Sequence, residues 1–435
     1  MRRLLIVGTV PFNNQSTSRA FDSYFNGWEK DDIVQIFSNS KKPVKGHCGS
    51  LFQITDSRML KRWLGKEIDT GIIFNYTDLD ESSGVVEETE TAGLKHIKKY
   101  GELNKTALTH LARKLLWRKK FWCTEKLNNW LDDFNPECVF LSFSDDFFIP
   151  EIAMYVSDRY NIPIISSIGD DYYFNYKKTI NPLYHLYKLS YRKTIRKVFS
   201  HKGSAIYIGD KIRDKYNSEF GLNGITVYLT SNIQKRDFRA IDTANPKICY
   251  FGNLHLGRNK SLVDIANEIS KINPKYSVDV YSGETDSSIT DMLVDNPYIV
   301  FHGTVPYSEV QKKISESDIL LVVEGFEKKD VDISRYSLST KVADSLSSGV
   351  SVFAYGSEEC GAIEYLDKMS CAVVCNKKSE IENKLRQLIY DIDFQKQLYD
   401  ASSKVVINNH RLENSNCLFR KLVEREVELN EQLKT

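Results

Sequence analysis

Short apolar runs rich in Val, Ile, Leu and Phe return along this chain, most of them followed by a stretch with helical spacing, and the rhythm occurs twice. In the first half the runs are residues 4–10, 33–37, 139–143, 162–168 and 205–208, with amphipathic stretches such as 152–160 between them. Runs of this kind are strands buried on both faces, as in parallel sheets whose crossover helices cover each side. After Asn232 the rhythm stops, and Gln234-Lys235-Arg236-Asp237 and Asp242-Thr243-Ala244-Asn245-Pro246 read as an exposed connector ending in a turn. It restarts with strands at 247–251, 277–281, 299–301, 319–323, 350–354 and 372–374, and helical patterns at 262–269, 309–315 and 340–347. From about Ser379 to Thr435 the pattern is helical. The expected architecture is α/β: two Rossmann-like doubly wound domains, 1–240 and 246–410, with a cleft between them. Ligands are expected at the carboxyl ends of the strands, and a last helix, 411–435, packs back on the first domain.

At 435 residues the chain is too long for a single core, and 59 Lys+Arg against 58 Asp+Glu leave it nearly neutral, which excludes bulk nucleic-acid binding. Its eight cysteines are scattered with no C-x-x-C pair, which speaks against a disulfide framework or a zinc site and for a reducing, cytosolic setting. Met1-Arg2-Arg3 and the apolar residues after it imitate a signal peptide, but the run is short and reads as a first strand. No apolar run approaches the roughly 20 residues needed to span a bilayer. An acidic segment, 77–90, reads as a loop. It precedes a basic, aromatic stretch in which Leu94, Ile97, Leu108, Leu111, Leu115 and Trp122 alternate with Lys98, Lys99, Arg113, Lys114, Arg118, Lys119 and Lys120; 176–202 is similar. Such helices either bury an apolar stripe on the sheet or lie on a membrane surface.

The most informative run is Tyr336-Ser337-Leu338-Ser339-Thr340-Lys341-Val342-Ala343-Asp344-Ser345-Leu346-Ser347-Ser348-Gly349. Ser339 and Thr340 stand where a helix should begin, Val342, Ala343 and Leu346 form its apolar face, and Gly349 follows its end. Free N-terminal amides and the helix dipole beside Lys341 make an anion site suited to a diphosphate. Asp344 shares a face with Lys341 and could accept both hydroxyls of a ribose; the pair also fits an ordinary i, i+3 ion pair on a capped helix. A second run carries a strand into a loop with Gly252 and Gly257, followed by Arg258 and Lys260, cations suited to a leaving phosphate. No G-x-G-x-x-G dinucleotide fingerprint is present.

Together these segments resemble the GT-B glycosyltransferases, specifically the retaining enzymes of family 4. The resemblance runs through Gly252, Arg258 and Lys260, the turn Gly303-Thr304-Val305, the strand Ser317-Asp318-Ile319-Leu320-Leu321, and the Ser339-Thr340-Lys341 helix start with Asp344. In the first half it rests on Gly8-Thr9, the 16–19 loop with Arg19, and Ile162-Pro163 with Asp170-Asp171. The resemblance implies a nucleotide-diphosphate sugar as donor, UDP-sugars favoured over GDP-sugars. It places the base near Gly303–Val305, the ribose on Asp344, and the phosphates on Arg258, Lys260 and Ser339–Lys341. Retaining enzymes of this fold need positioning and diphosphate stabilisation, without a metal ion or a cofactor beyond the sugar nucleotide. The family's paired glutamates stand eight positions apart; with Asp344 second, the first place holds Tyr336, and Glu324 is the candidate substitute. The family's histidine after the fourth strand is missing, and Ser144-Asp145-Asp146 stands near its place. Asp145, Asp146, Asp170 and Asp171 are candidates for orienting the acceptor, or turn and cap residues.

The implied function is that of a hexosyltransferase acting on a surface-glycan or lipid-linked saccharide, in the cytoplasm and with peripheral contact to the inner membrane face. The alternatives are a non-catalytic GT-B-like protein that binds a nucleotide or supports a partner, and a nucleotide-sugar epimerase of the same fold. The triplets Asp78-Leu79-Asp80 and Asp330-Val331-Asp332 suggest the metal-dependent GT-A arrangement, which the duplicated strand rhythm disfavours.

Overall fold

A computed structural model of the chain describes residues 1–12, 18–80, 106–176 and 178–434, without the side chains of Ser18 and Arg19. Residues 81–105, with most of the acidic segment and Leu94, Ile97, Lys98 and Lys99, lie outside the described residues, as do residues 16 and 17 of the 16–19 loop. The chain divides into two units: Met1–Tyr207, Arg213–Thr226 and Asn416–Thr435 form the first, Ile208–Ile212 and Val227–Ser415 the second.

The first unit holds β1 (Leu4–Gly8), β2 (Ile33–Phe37), β3 (Ser50–Ile54), β4 (Gly71–Asn75), β5 (Cys138–Ser142), β6 (Ile164–Ile168), β7 (Gly203–Tyr207) and β8 (Ile225–Thr226). They form one sheet in the order β4-β3-β2-β1-β5-β6-β7-β8, parallel throughout except where β3 meets β4. The expectation of parallel units alone is therefore corrected at this edge. β3 carries a buried glutamine, Gln53, whose Nε2 donates to the carbonyls of Asn39 (2.7 Å) and Lys41 (3.1 Å) and ties down the loop after β2. A polar residue used in this way interrupts the apolar run that marks a buried strand.

The second unit holds β9 (Ile248–Phe251), β10 (Val278–Tyr281), β11 (Ile299–Gly303), β12 (Ile319–Val323), β13 (Ser351–Tyr355) and β14 (Val373–Cys375) in the order β11-β10-β9-β12-β13-β14, all parallel. The strand order reverses between β9 and β12, as it does between β1 and β5, and such reversals open a crevice at the carboxyl ends of the strands. Asp318 registers the central pair: its carboxylate accepts from the Lys247 amide (3.0 Å) and from Arg239 (2.9 Å), and its own amide donates to the Lys247 carbonyl (2.8 Å). Ile248, Tyr250, Leu321 and Phe353 from the sheet bury against Leu262 and Ile265 on one helix and Leu385 on another.

The crossing between units falls at Thr226–Val227, ahead of the 1–240 boundary read from the connector. Ile233 packs with Cys249, Tyr281 and Leu320, and Ile241 joins the main core of the second unit, so these two residues anchor the connector there while Gln234, Lys235, Asp237 and 242–245 between and after them are exposed, as read from the sequence. The last helix, Leu412–Gln432, joins the first unit from Asn416 onward. Phe419 lies 5.2 Å from Phe25 and 5.6 Å from Phe140, Leu422, Val423 and Val427 are buried with it, and Arg2 pairs with Glu424 and Glu431. The described part of the basic stretch forms three helices, Ala107–Leu116, Lys119–Trp122 and Glu125–Phe134, with Trp117 and Trp122 buried between. Among the described residues no helix is long and apolar enough to cross a membrane.

All five tryptophans, Trp28, Trp63, Trp117, Trp122 and Trp130, belong to the first unit, so indole fluorescence reports that unit alone. Phe419→Ala is expected to destabilise it by about 3–5 kcal/mol, the usual cost of emptying a buried phenylalanine site. The check is a urea titration followed by tryptophan emission.

Candidate functional site

β9 ends at Phe251 and the chain turns at Gly252, whose φ of 146° and missing side chain are both needed. A Cβ there would lie 2.1 Å from Cε and 2.3 Å from Nζ of Lys341. Lys341 is the second residue of the helix Thr340–Ser347, and its amide donates to the Oγ of the cap residue Ser339 at 3.3 Å. Its Nζ donates to Tyr250 Oη at 2.8 Å, and that hydroxyl donates to the carbonyl of Asn253 at 2.5 Å. Thr340 is exposed at the same helix start.

From the adjacent strand, β12, the chain delivers Glu324, which is buried. Arg258 opens the helix Arg258–Ile272 behind Gly257, a left-handed residue at φ 75°. Its guanidinium closes on Glu324 in a fork, Nη2 to Oε2 at 2.8 Å and to Oε1 at 3.1 Å with Nε to Oε2 at 3.1 Å, while Nη1 reaches Asn253 Oδ1 at 2.9 Å. Gly356, after β13, leaves room for the glutamate, since a Cβ there would stand 2.9 Å from Glu324 Cβ.

The electrostatics follow from enclosure. Burial pushes the Glu324 carboxyl up, and Arg258 and Lys341 pull it back. Burial lowers Lys341 to about 7, with Arg258 pushing the same way and Glu324 opposing. Two basic groups thus share one carboxylate beside a helix start whose first amides have no intrahelical partner. Whenever Lys341 is protonated, the group carries one cation more than its anions.

The remaining sequence candidates of this unit are spread along the same edge. Lys260 is exposed and pairs with Glu327, which also holds Lys329 at 2.9 Å; the two ammoniums keep the Glu327 carboxyl down at about 2. Asp344 accepts from Ser231 Oγ at 2.7 Å. The Gly252 amide donates to the Tyr281 carbonyl and the Ser282 amide to the Gly303 carbonyl, both at 3.0 Å, so the ends of β9, β10 and β11 stand in a row. Phe251, Tyr281 and His302 stack across them at 4.8 and 4.4 Å, and His302 Nε2 lies 2.6 Å from Asp279 Oδ1. Thr304 Oγ1 is near Gly283, and Val305 packs on the Ile233 cluster.

In the first unit Gly8 closes β1, where a Cβ would stand 3.2 Å from Ser142 Cβ, and the Thr9 carbonyl accepts from the Asn39 amide at 2.8 Å. Past β5, Asp145 is exposed, while Asp146 pairs with Arg113, which also pairs with Asp56 at 3.1 Å. Past β6, Asp170 is exposed. Asp171 holds a turn by accepting from the amides of Tyr173 (3.1 Å) and Phe174 (2.8 Å) and from Tyr216 Oη (2.9 Å). Burial, then Asp170 and Asp145, push the Tyr172 hydroxyl up. The Arg19 side chain lies outside the described residues.

Of the two D-x-D triplets, Asp78 accepts from the Asn75 amide at 3.2 Å, Asp80 pairs with Lys42 at 3.1 Å, and Asp332 pairs with Lys328 at 3.3 Å. Asp330 is buried beside Gly257. Among the described residues no group of three or more His, Cys, Asp or Glu could hold a metal ion. Sequence reasoning missed Tyr250, Asn253 and Ser231: a strand tyrosine next to a glycine turn carries a weak signal, and only the fold brings Ser231 to Asp344.

No family model matches the sequence, and no curated protein matches it. Solved structures do. Anabaena HepE in complex with UDP aligns at TM-score 0.57 and 10% identity, over 98% of this chain and 100% of that one. Sucrose-phosphate synthase from Thermosynechococcus elongatus aligns at 0.55 and 8% identity over 99% of both chains. A glycosyltransferase from Rickettsia africae aligns at 0.53 and 12% identity over 98% of both. The chain therefore has the GT-B fold, two Rossmann-like domains in tandem.

Arg258→Ala strands Glu324 as a buried carboxylate without its guanidinium and is expected to cost the second unit roughly 3–5 kcal/mol. Adding Glu324→Leu should recover most of that loss. Scanning calorimetry of the single and double variants checks both outcomes.

Proposed function

We propose that this chain is a retaining hexosyltransferase that moves a sugar from a nucleotide-diphosphate donor, a UDP-sugar in preference to a GDP-sugar, to a hydroxyl of a surface-glycan or lipid-linked saccharide. It works in the cytoplasm, in keeping with its eight free cysteines. One observation carries the reading: the Gly252, Lys341, Arg258 and Glu324 group, with one cation more than its anions when Lys341 is protonated, sits where the sheet reverses and a helix begins. A diphosphate supplies the balancing charge. The likeness in fold to HepE, which has been crystallised with UDP and with UDP-glucose, supports the choice of nucleotide.

In this reading the bond between the anomeric carbon and the diphosphate oxygen breaks with its electron pair on the phosphate. The acceptor oxygen bonds to the anomeric carbon from the same face, and its proton passes to the departing phosphate. Lys341, which takes up a proton from solvent once the anion beside it raises its pKa, and the amides at the Ser339–Lys341 helix start hold the growing charge. Arg258 keeps Glu324 ionised, and Glu324, in place of the family's first glutamate, receives hydroxyls of the donor sugar. Lys260 turns from Glu327 to the phosphates, Asp344 takes the ribose, and Gly303, Thr304 and Val305 border the base. Within the first unit, Gly8 and Thr9 at the end of β1 are the candidates for the donor and Asp145 beyond β5 is the candidate for the acceptor hydroxyl. The reaction needs no metal ion or further cofactor. One observation favours a second reading, a nucleotide-binding protein without transfer: Arg258 is already engaged by Glu324 and Asn253, and Lys260 by Glu327.

UDP should raise the melting temperature, and Lys341→Ala should abolish the effect; stabilisation that survives both Lys341→Ala and Arg258→Ala overturns the site. The Lys341 pKa of about 7 in the free protein must rise when a diphosphate binds, so binding takes up a proton above neutrality. Affinity should consequently fall, by up to about tenfold per pH unit, as pH rises from 7 to 9. Calorimetry in buffers of different ionisation heat reads the uptake directly. Binding without donor hydrolysis or transfer selects the second reading.

A further inference from the structure

Two helices of the first unit, Ala107–Leu116 and Pro182–Phe199, run side by side in the same direction. His110 stacks on Tyr187 at 4.7 Å and Lys114 Nζ donates to Ser190 Oγ at 2.6 Å, so residue numbers climb together along the pair. Their inward faces are occupied: Tyr187, Tyr191, Ile195 and Val198 are buried, and Arg113 pairs with Asp56 and Asp146. Lys114, grouped with the surface cations in the sequence, also turns inward, over the Phe147 ring at 4.6 Å.

The outward faces carry leucines. Leu108 and Leu115 on the first helix are 61% and 58% exposed, and Leu183, Leu186 and Leu189 on the second are 41%, 56% and 60% exposed. Ile180, just ahead of the second helix, is fully exposed. Single exposed leucines are common on soluble proteins, but two adjoining rows form a patch. Cations follow each row: Arg118, Lys119 and Lys120 after the first, and Lys193, Arg196 and Lys197 on the last turns of the second, all exposed. Because the helices are parallel, both groups stand at the same end of the patch. Neither 106–120 nor 172–209 contains a single Asp or Glu.

An apolar plane bordered by long-stemmed cations, without a carboxylate in either segment, complements a bilayer surface that carries negative headgroups. We propose that this face docks the first unit on an anionic membrane, with the leucines entering the boundary between headgroups and acyl chains and the cations resting on the headgroups. The inference does not depend on the transferase reading, and it goes beyond the acceptor chemistry by assigning a surface and its partner.

The test is flotation of the full chain with vesicles of phosphatidylcholine alone and of an equimolar mixture with phosphatidylglycerol. The mixture should carry the protein and phosphatidylcholine should not. Leu183→Ser, Leu186→Ser and Leu189→Ser combined should weaken binding by about tenfold or more with the melting temperature unchanged, since these side chains already face water. Arg118→Gln, Lys193→Gln and Lys197→Gln combined should weaken it by a similar factor and remove most of its salt dependence. A wild-type chain that stays with the buffer, or a leucine variant that floats as well as wild type, overturns the proposal. So does light scattering that shows a dimer which the leucine variant dissociates, since a second copy would then cover the patch.

Discussion

An ammonium shut in beside a guanidinium is the constraint around which the second unit is built. Lys341 fills the space above Gly252, and Arg258 is fixed on Glu324 within its electrostatic reach. Removing such charges from water costs several kcal/mol per ion unless partners compensate, and one carboxylate cannot compensate both. Close placement requires Gly252 and Gly356, the residues whose missing side chains let Lys341 and Glu324 approach the backbone. It also requires β9 and β12 to be neighbours, which the bonds of Asp318 to Lys247 secure. The site is thus an intrinsic property of the sheet's reversal rather than an addition to its surface.

The same reversal in the first unit is furnished differently. Beyond β5 and β6 stand Asp145, Asp146, Asp170 and Asp171 among Tyr172, Tyr187 and Tyr191, where the second unit presents cations. Two sheets of like topology therefore offer opposite chemistry at the same strand ends. Carboxylates and aromatic rings suit the hydroxyls and faces of sugars, and buried cations suit phosphates.

Much of the frame was legible where local and global preferences coincide. The runs at 33–37 and 319–323 are strands with those bounds, and 340–347 is a helix with the cap at Ser339 and the left-handed Gly349 that its composition called for. β3 and β4 were not legible, because Gln53 serves the loop after β2 and β4 opens on Gly71 and ends in Asn75. The two anchors of the connector were not legible, because Ile233 and Ile241 are core residues spaced singly among charges that do face solvent. Within the site, sequence grouped Arg258, Lys260 and Lys341 as equals. Helix geometry separates them, with Arg258 directed to Glu324 and Lys260, two residues on, directed to Glu327.

The placement of Phe419 bears on how the protein is made. Strands β1 and β5 are made before the second unit, yet the aromatic cluster of Phe25 and Phe140 stays incomplete until Phe419, which follows the second unit, arrives. The second unit can reach its final form first, while the earlier segment waits, partly uncovered, for residues 416–435 to be made. A chain cut before Phe419 would keep residues 227–415 of the second unit and leave the aromatic cluster of the first without its last ring, so the half that is begun first is the half that is completed last.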